Sequence, residues 1–313
     1  MKVLIKAGQD LTLSIDSDAT AQLYLREKFA CLGKVEFASK YSENKRSEKI
    51  RSEKIREVSL ELIKLATKMA IEQGQQTLIA PLDGDTWHSY RTIIESSAAP
   101  KFFLEPSSPL SAEVLEEAGF ALTAQYSSSL IDLAYSKAAI EATIAKHEAT
   151  IEKSFLVRQF NSANFEGELR EIYELSLKSF KNNFLYQAIS YEDFVELYRP
   201  LVNLIKNELV WLAFNQGKLA GMLFALPDLL NREQIILKTV AVDPDFTGLG
   251  IASYLLARVQ KEALNLGYTF AVQALYKAEN KSAQLTAGLK TKVIRRYGLF
   301  ALDLRPRIKA GRK

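Results

Sequence analysis

The chain has 313 residues, 41 Lys+Arg against 37 Asp+Glu, a hydrophobic fraction of 48% and a single cysteine. That length favours two domains, and the composition is that of a globular protein with apolar material for two cores. The net charge of +4 is far from the concentrated basic footprint of a nucleic-acid binder, and a lone Cys31 excludes an internal disulfide framework or a cysteine-based metal site. With only His88 and His147, a histidine-rich metal site is also excluded as an expectation. The apolar run at the start covers only residues 3–5, and no segment approaches the roughly 18 apolar residues of a membrane span. These features predict a soluble cytoplasmic protein with no metal, no membrane and no nucleic-acid partner.

Strand-like runs occur at 21–25, 31–38 and 77–82. Between the second and third, Leu62, Ile63, Ala66, Met69 and Ala70 recur at helical spacing, which predicts an amphipathic helix over 56–73 closed by Gly74. Residues 46–50 and 51–55 are the same five letters, RSEKI, in tandem; the repeat has no apolar face and reads as a solvated insertion at the start of that helix. The stretch 81–91 is dense in polar and aromatic residues, including Trp87, and reads either as an acceptor-pocket lining or as an ordered structural loop. A short helix over 111–118, stopped by Gly119, precedes a strand over 121–133, and a linking helix follows over 136–153 with Ile140, Ile144, His147 and Ile151 on one stripe.

A second αβ set then begins. It comprises a strand at 155–160, a helix at 165–180, and a helical stretch 191–205 that Pro200 breaks or kinks. Strands at 208–214 and 219–226 flank the hairpin turn Asn215-Gln216-Gly217-Lys218. A strand at 234–242, a helix at 250–266 ended by Gly267, and strands at 269–275 and 293–302 complete the set. The expected domains are therefore 1–135 and 153–313, with 136–152 as the connection.

The informative stretch is where the 234–242 strand ends at Asp243-Pro244 and a helix starts just beyond Gly248, Gly250 and Ala252. Small residues in such a loop turn backbone N–H groups toward one point at the positive end of a helix, which suits a pyrophosphate. A dinucleotide fingerprint is excluded because Ser253 stands where the third glycine belongs, and the P-loop pattern is absent.

The whole segment resembles the acyl-CoA loop of the GNAT superfamily of N-acetyltransferases: Val240-Ala241-Val242-Asp243-Pro244, then Gly248, Leu249, Gly250, Ile251 and Ala252, then Leu255-Leu256. Thr247 departs from the family's Arg or Gln. The resemblance extends over 155–302 and implies an acyl-CoA-dependent N-acyltransferase (acetyl-CoA or a related acyl-CoA) acting on a small-molecule or peptide amine by direct attack. It implies an α/β fold of two tandem GNAT-like domains, each a mostly antiparallel mixed sheet flanked by helices. The first is degenerate, because 42–49 has no glycine where a cofactor loop should lie. The resemblance further implies that Asn280 and Ser282 contact the pantetheine arm and that N–H groups near 240–242 polarise the thioester carbonyl. The family's usual tyrosine would fall at 287, which is Ala287, so Tyr276 and Tyr297 are the candidate general acids; Glu192, Asp193, Asp228 and Glu233, or a water chain, are candidate bases that the sequence does not distinguish. The aromatic segment 183–191 is expected against the acceptor. A non-catalytic acyl-CoA-binding or partner-binding scaffold is the second reading.

Overall fold

The structure is a computed structural model that describes residues 2–5, 10–41, 48–277, 285–286 and 288–306. It divides into two compact units that interleave along the chain: 1–95, 106–125 and 297–313 form the first, and 96–105 with 126–296 form the second. The border is therefore not one cut near 135, because the last strand runs from the second unit back into the first.

The first unit has strands β1 (Lys2–Ile5), β2 (Leu11–Ile15), β3 (Ala19–Leu25) and β4 (Ala30–Phe37), antiparallel in succession. Strand β5 (Thr77–Ala80) joins β4 in parallel. On its other side β5 pairs antiparallel with the Phe300–Asp303 end of the last strand, β13 (Thr291–Asp303). Helix α1 (Glu48–Glu72) packs Leu62, Ala66 and Ala70 onto Leu13, Leu23 and Leu32 of this sheet. The second RSEKI copy lies within the opening turns of this helix, which starts earlier than position 56, since Glu, Lys and Arg are good helix formers and Ile is tolerated. A short strand β6 (Thr92–Ser96) and helix α2 (Ala112–Glu117), capped by Ser111, lead into β7 (Ala121–Asp132), whose later part belongs to the second unit.

The second unit orders its strands as β8 (Leu156–Gln159), β9 (Val210–Asn215), β10 (Lys218–Pro227), β11 (Gln234–Val242) and β12 (Phe270–Lys277), followed by the Tyr126–Asp132 part of β7. In this order β11 and β12 pair in parallel and the other neighbours pair antiparallel. Helix α3 (Leu133–Ser154) and helix α6 (Ile251–Asn265) bury Ile140, Ile144, Leu255 and Val259 against Ile235, Leu237 and Ala271. The helix expected as a linker is therefore a core element of the second unit. Alternation along β11 turns Ile236 to the opposite face. There α4 (Phe165–Phe180) and α5 (Tyr191–Tyr198) contribute Leu169, Ile172 and Tyr198 to an apolar cluster with Met222 and Phe224. At Pro200, which has no amide to donate and interrupts the α ladder, the helix gives way to a 3-10 turn (Arg199–Leu204).

Each unit is thus a mostly antiparallel mixed sheet that includes a parallel strand pair, flanked by helices. In the second unit the turn before β11 is organised by Asp228. This buried carboxylate accepts from the Phe103 and Leu230 amides at 2.9 Å each, from Asn231 at 3.1 Å and from Gln234 Nε2 at 2.6 Å. All four donors are spoken for by structure, so Asp228 is not a proton acceptor for catalysis. Asp228→Ala should strand buried donors and lower stability by about 3 kcal/mol, read from the denaturant midpoint at unchanged slope.

Candidate functional site

Two parallel strands in the middle of a sheet should stay hydrogen-bonded along their length. Strands β11 and β12 do not. Their ladder runs from Gln234↔Phe270 to Leu237↔Gln273 and stops, although the strands continue to Val242 and Lys277. Burial changes at the same register: 234–237 and 271–273 are buried, while 238–240 and 274–277 are partly exposed.

Each strand carries a bulge where the ladder ends. On β11, Phe224 pairs with Thr239 and Ala225 with Leu237, so Lys238 is the extra residue. On β12, Gln273 pairs with Ser129 and Tyr276 with Ser127, leaving two residues opposite one; Leu275 adopts a positive φ of 59°. Bulges bend and over-twist a strand, and two on outward-facing sides pull the pair apart into a wedge. The Leu275 amide, displaced from the ladder, donates instead to Ser128 Oγ at 3.1 Å. The serine run 127–129 therefore has a physical role: Ser128 receives the amide that the bulge displaces, and Ser129 Oγ is hydrogen-bonded to Tyr276 Oη at 2.7 Å.

Main-chain direction alternates along β11. Asp243 donates its N–H to Ala220 on β10, so the Val242 and Val240 amides point the other way, into the wedge. Ala241 is buried with its amide turned to β10; of the three residues expected to meet a cofactor through this strand, it offers no donor to the wedge.

Beyond β11 the chain makes one 3-10 turn (Pro244–Phe246) and reaches Gly248 and Gly250, with φ of 86° and 87°. Among the described residues, no acceptor meets the amides of Gly248, Leu249, Gly250, Ile251, Ala252 or Ser253. The first amide of the helix to find a partner is that of Tyr254, which bonds the Gly250 carbonyl at 2.9 Å. A row of unpaired amides around two left-handed residues at a helix N-terminus is an anion cradle, and these groups fit a pyrophosphate. A Cβ on Gly248 would meet nothing within 4 Å, so the cradle is open to solvent there. Leu249 is exposed, whereas Ile251 is buried and contributes only its amide. Thr247 turns its hydroxyl back onto the Pro244 carbonyl at 3.0 Å.

Three neighbours hold the cradle in place. Gly221 on β10 lets the start of α6 sit directly on the sheet, since a Cβ there would meet Ile251 Cγ2 at 2.6 Å. At Gly250 a Cβ would collide with His147 Nδ1 at 2.5 Å, so this glycine is required by packing against α3 as well as by its φ. Lys178, in the last turn of α4, donates to Asp243 at 2.7 Å and to Asp245 at 2.8 Å. It neutralises two carboxylates that would otherwise repel an anion, and these bonds raise its own pKa, Asp243 foremost.

The 183–191 segment follows α4. It is ordered by Tyr186 Oη donating to the Leu177 carbonyl at 3.3 Å and Tyr173 Oη donating to the Ile189 carbonyl at 2.8 Å. Its exposed Phe184 ring lies 5.6 Å from Lys277 Nζ at the end of β12. The segment thus reaches the β12 lip at Phe184, while Lys178, in the helix before it, reaches the turn after β11.

Of the two candidate acids, Tyr276 stands on the wedge, whereas Tyr297 is fully buried and belongs to the first unit, where it packs. Glu233 is exposed, and Asp193 accepts from Ser190 Oγ at the start of α5, an N-cap contact that makes it a helix-end residue. Asn280, Ser282 and Ala287 lie outside the described residues.

The corresponding pair in the first unit is closed. Strands β4 and β5 pair at Ala30↔Leu78 and Cys31↔Ile79, and beyond β5 the chain stays alongside β4. The Leu82 amide donates to the Leu32 carbonyl at 2.9 Å, and Asp83 Oδ1 accepts the Lys34 amide at 2.6 Å. Gly33 is what allows this approach, because a Cβ there would collide with the Leu82 carbonyl. The 81–91 loop is built as structure: Asp85 Oδ1 accepts from the Trp87 amide at 2.8 Å and contacts His88 Nδ1 at 2.8 Å.

Residues 169–285 match the family model for "Acetyltransferase (GNAT) family". The fold resembles that of a GCN5-related N-acetyltransferase from Sphaerobacter thermophilus, with TM-score 0.52 and 14% identity over 97% of this chain and 84% of that one. It also resembles a tandem GNAT protein from the clavulanic acid biosynthesis pathway, with TM-score 0.51 and 12% identity over 95% and 83% of the two chains. At such identities the likeness concerns the fold. No curated protein matches the chain. The second unit therefore carries the match to the GNAT family model, and the fold of the chain resembles GNAT folds, a tandem one among them. No helix among the described residues is long and apolar enough to cross a membrane.

The contact of Gly250 with His147 is testable. Gly250→Ala should destabilise by about 1–2 kcal/mol from left-handed strain alone, with a further loss from the collision. In a His147→Ala background that further loss should vanish, which a double-mutant cycle in denaturant melts reads directly.

Proposed function

We propose that the second unit is an acyl-CoA-dependent N-acyltransferase that delivers an acetyl or related acyl group to an amine. The observation that carries this reading is the run of unpaired amides from 248 to 253 beside a wedge whose β11 wall presents the Val240 and Val242 amides. Acyl-CoA would supply the acyl group as an activated thioester. The cradle at Gly248–Ala252 holds the pyrophosphate with backbone N–H groups and the α6 dipole. The β11 amides pair with the amide-bearing arm as an added strand would, and one of them polarises the acyl carbonyl. Tyr276, hydrogen-bonded to Ser129, holds a proton at Oη for the departing sulfur. The 183–191 segment covers the acceptor side.

Binding without catalysis is the second reading. It is favoured by Thr247, whose folded-back hydroxyl supplies no charge to the cradle. Calorimetry with acetyl-CoA, followed by thiol release across a panel of amines, separates the two. Cys31 does not interfere with thiol detection, because burial pushes its pKa up to about 12.

Two variants test the assignment. Ala252→Glu places a carboxylate in the cradle but in the first turn of a helix, where an acid is well tolerated, so melting should be unchanged. Acyl-CoA affinity should fall by roughly 10²-fold or more; retained affinity would locate the cofactor elsewhere. Tyr276→Phe should lower turnover by roughly 10²-fold with acyl-CoA affinity unchanged. Full turnover in that variant would remove Tyr276 from the mechanism.

A further inference from the structure

The extra residue of the β11 bulge is a lysine. Lys238 is partly buried, and its Nζ lies 4.9 Å from the centre of the Tyr198 ring and 6.0 Å from that of Phe224. Both rings are buried. Among the described residues no carboxylate pairs with this ammonium, in contrast to Lys178, which holds two. The opposite lip of the wedge also carries a cation, Lys277, over Phe184.

A cation half withdrawn from water is costly unless something compensates it, and two ring faces compensate it only in part. Its position is specific. Lys238 lies two residues before Val240, whose amide faces the wedge, a distance of about 7 Å along a strand. The rings it touches belong to α5 and β10, on the sheet face that α4, α5 and the 183–191 segment cover. An acceptor carrying only an ammonium would enter past the like charge of Lys238. One carrying its own negative group within a few bonds of the nitrogen would be drawn in and oriented by it.

We infer that Lys238 is the anchor for a carboxylate on the acceptor, and that the acceptor class is an amine bearing its own carboxylate, of the amino-acid type. The inference rests on the acyltransferase reading of the same cleft and adds the acceptor's chemistry to it. Lys238 is here a specificity residue. Its ammonium pairs with the acceptor carboxylate while the acceptor nitrogen reaches the acyl carbonyl beside Val240.

The test uses the full chain and three matched sets of acceptors: α-amino acids, their carboxamides, and the amines left when the carboxylate is removed. Thiol release from acetyl-CoA is followed with each. The wild type should prefer the amino acids over the matched neutral-tailed amines by at least about tenfold in kcat/KM, the scale of one charge-assisted contact. Lys238→Met should collapse that ratio, chiefly through KM of the amino acids, and Lys238→Arg should keep most of it. Calorimetric acetyl-CoA affinity, which a merely structural loss would also lower, should be the same in all three proteins. A wild type that prefers the neutral-tailed amines overturns the inference. So does a Lys238→Met variant that slows every acceptor by one common factor. Wild-type protein that binds no acetyl-CoA would overturn the underlying acyltransferase reading, and the inference with it.

Discussion

The separation of β11 from β12 is the constraint on which the rest of the second unit depends. A central parallel pair that parts company exposes backbone groups that folding normally pairs, and such groups are expensive to leave unmet. Here the parting is enforced from outside the pair. Lys238 is squeezed out of register by β10 on one side, and Leu275 by β7 on the other. Part of the loss is recovered locally through the Ser128 hydroxyl. The remainder, on the β11 wall, is what the amides of the proposed acyl-CoA arm would complete.

The anion cradle illustrates how far its support extends beyond its own residues. Its glycines adopt the required dihedrals, but the height of the helix on the sheet is set by Gly221, its lateral position by His147, and its electrostatic background by Lys178. These come from β10, α3 and α4. A loop of small residues would be floppy if isolated; here each neighbouring element removes one degree of freedom, which is how a preorganised site is made.

Much of this was legible in the sequence. Turn chemistry marked the β9–β10 hairpin, Pro200 marked the change of helix type, and the spacing from Asp243-Pro244 through Gly248 and Gly250 marked the left-handed glycine loop that opens α6. The outer strands β1 and β2 were missed because they are short, although Leu11, Leu13 and Ile15 alternate as a half-buried strand should. The extent of α1 was underestimated because a charged repeat has no apolar stripe, yet its residues are helix formers. The role of Ser127–Ser129, the structural duty of Asp228 and the burial of Tyr297 depend on register between strands far apart in sequence, and no local pattern encodes that. Gly250 shows a subtler shortfall. Its need for a left-handed backbone could be anticipated, but not that an imidazole from a helix a hundred residues earlier rests against it.

The first unit resolves the same geometric problem in the opposite way. Where β11 leaves its edge open, β4 receives the chain that follows β5, with Leu82 and Asp83 pairing to Leu32 and Lys34. An occupant that is part of the polypeptide is present at a very high effective concentration, and it is never released. A diffusing molecule competing for that edge would have to displace a tethered rival as well as find its own contacts. The first half is thus a cleft with its inhibitor built in, and removing the charged stretch ahead of α1 would not by itself reopen it.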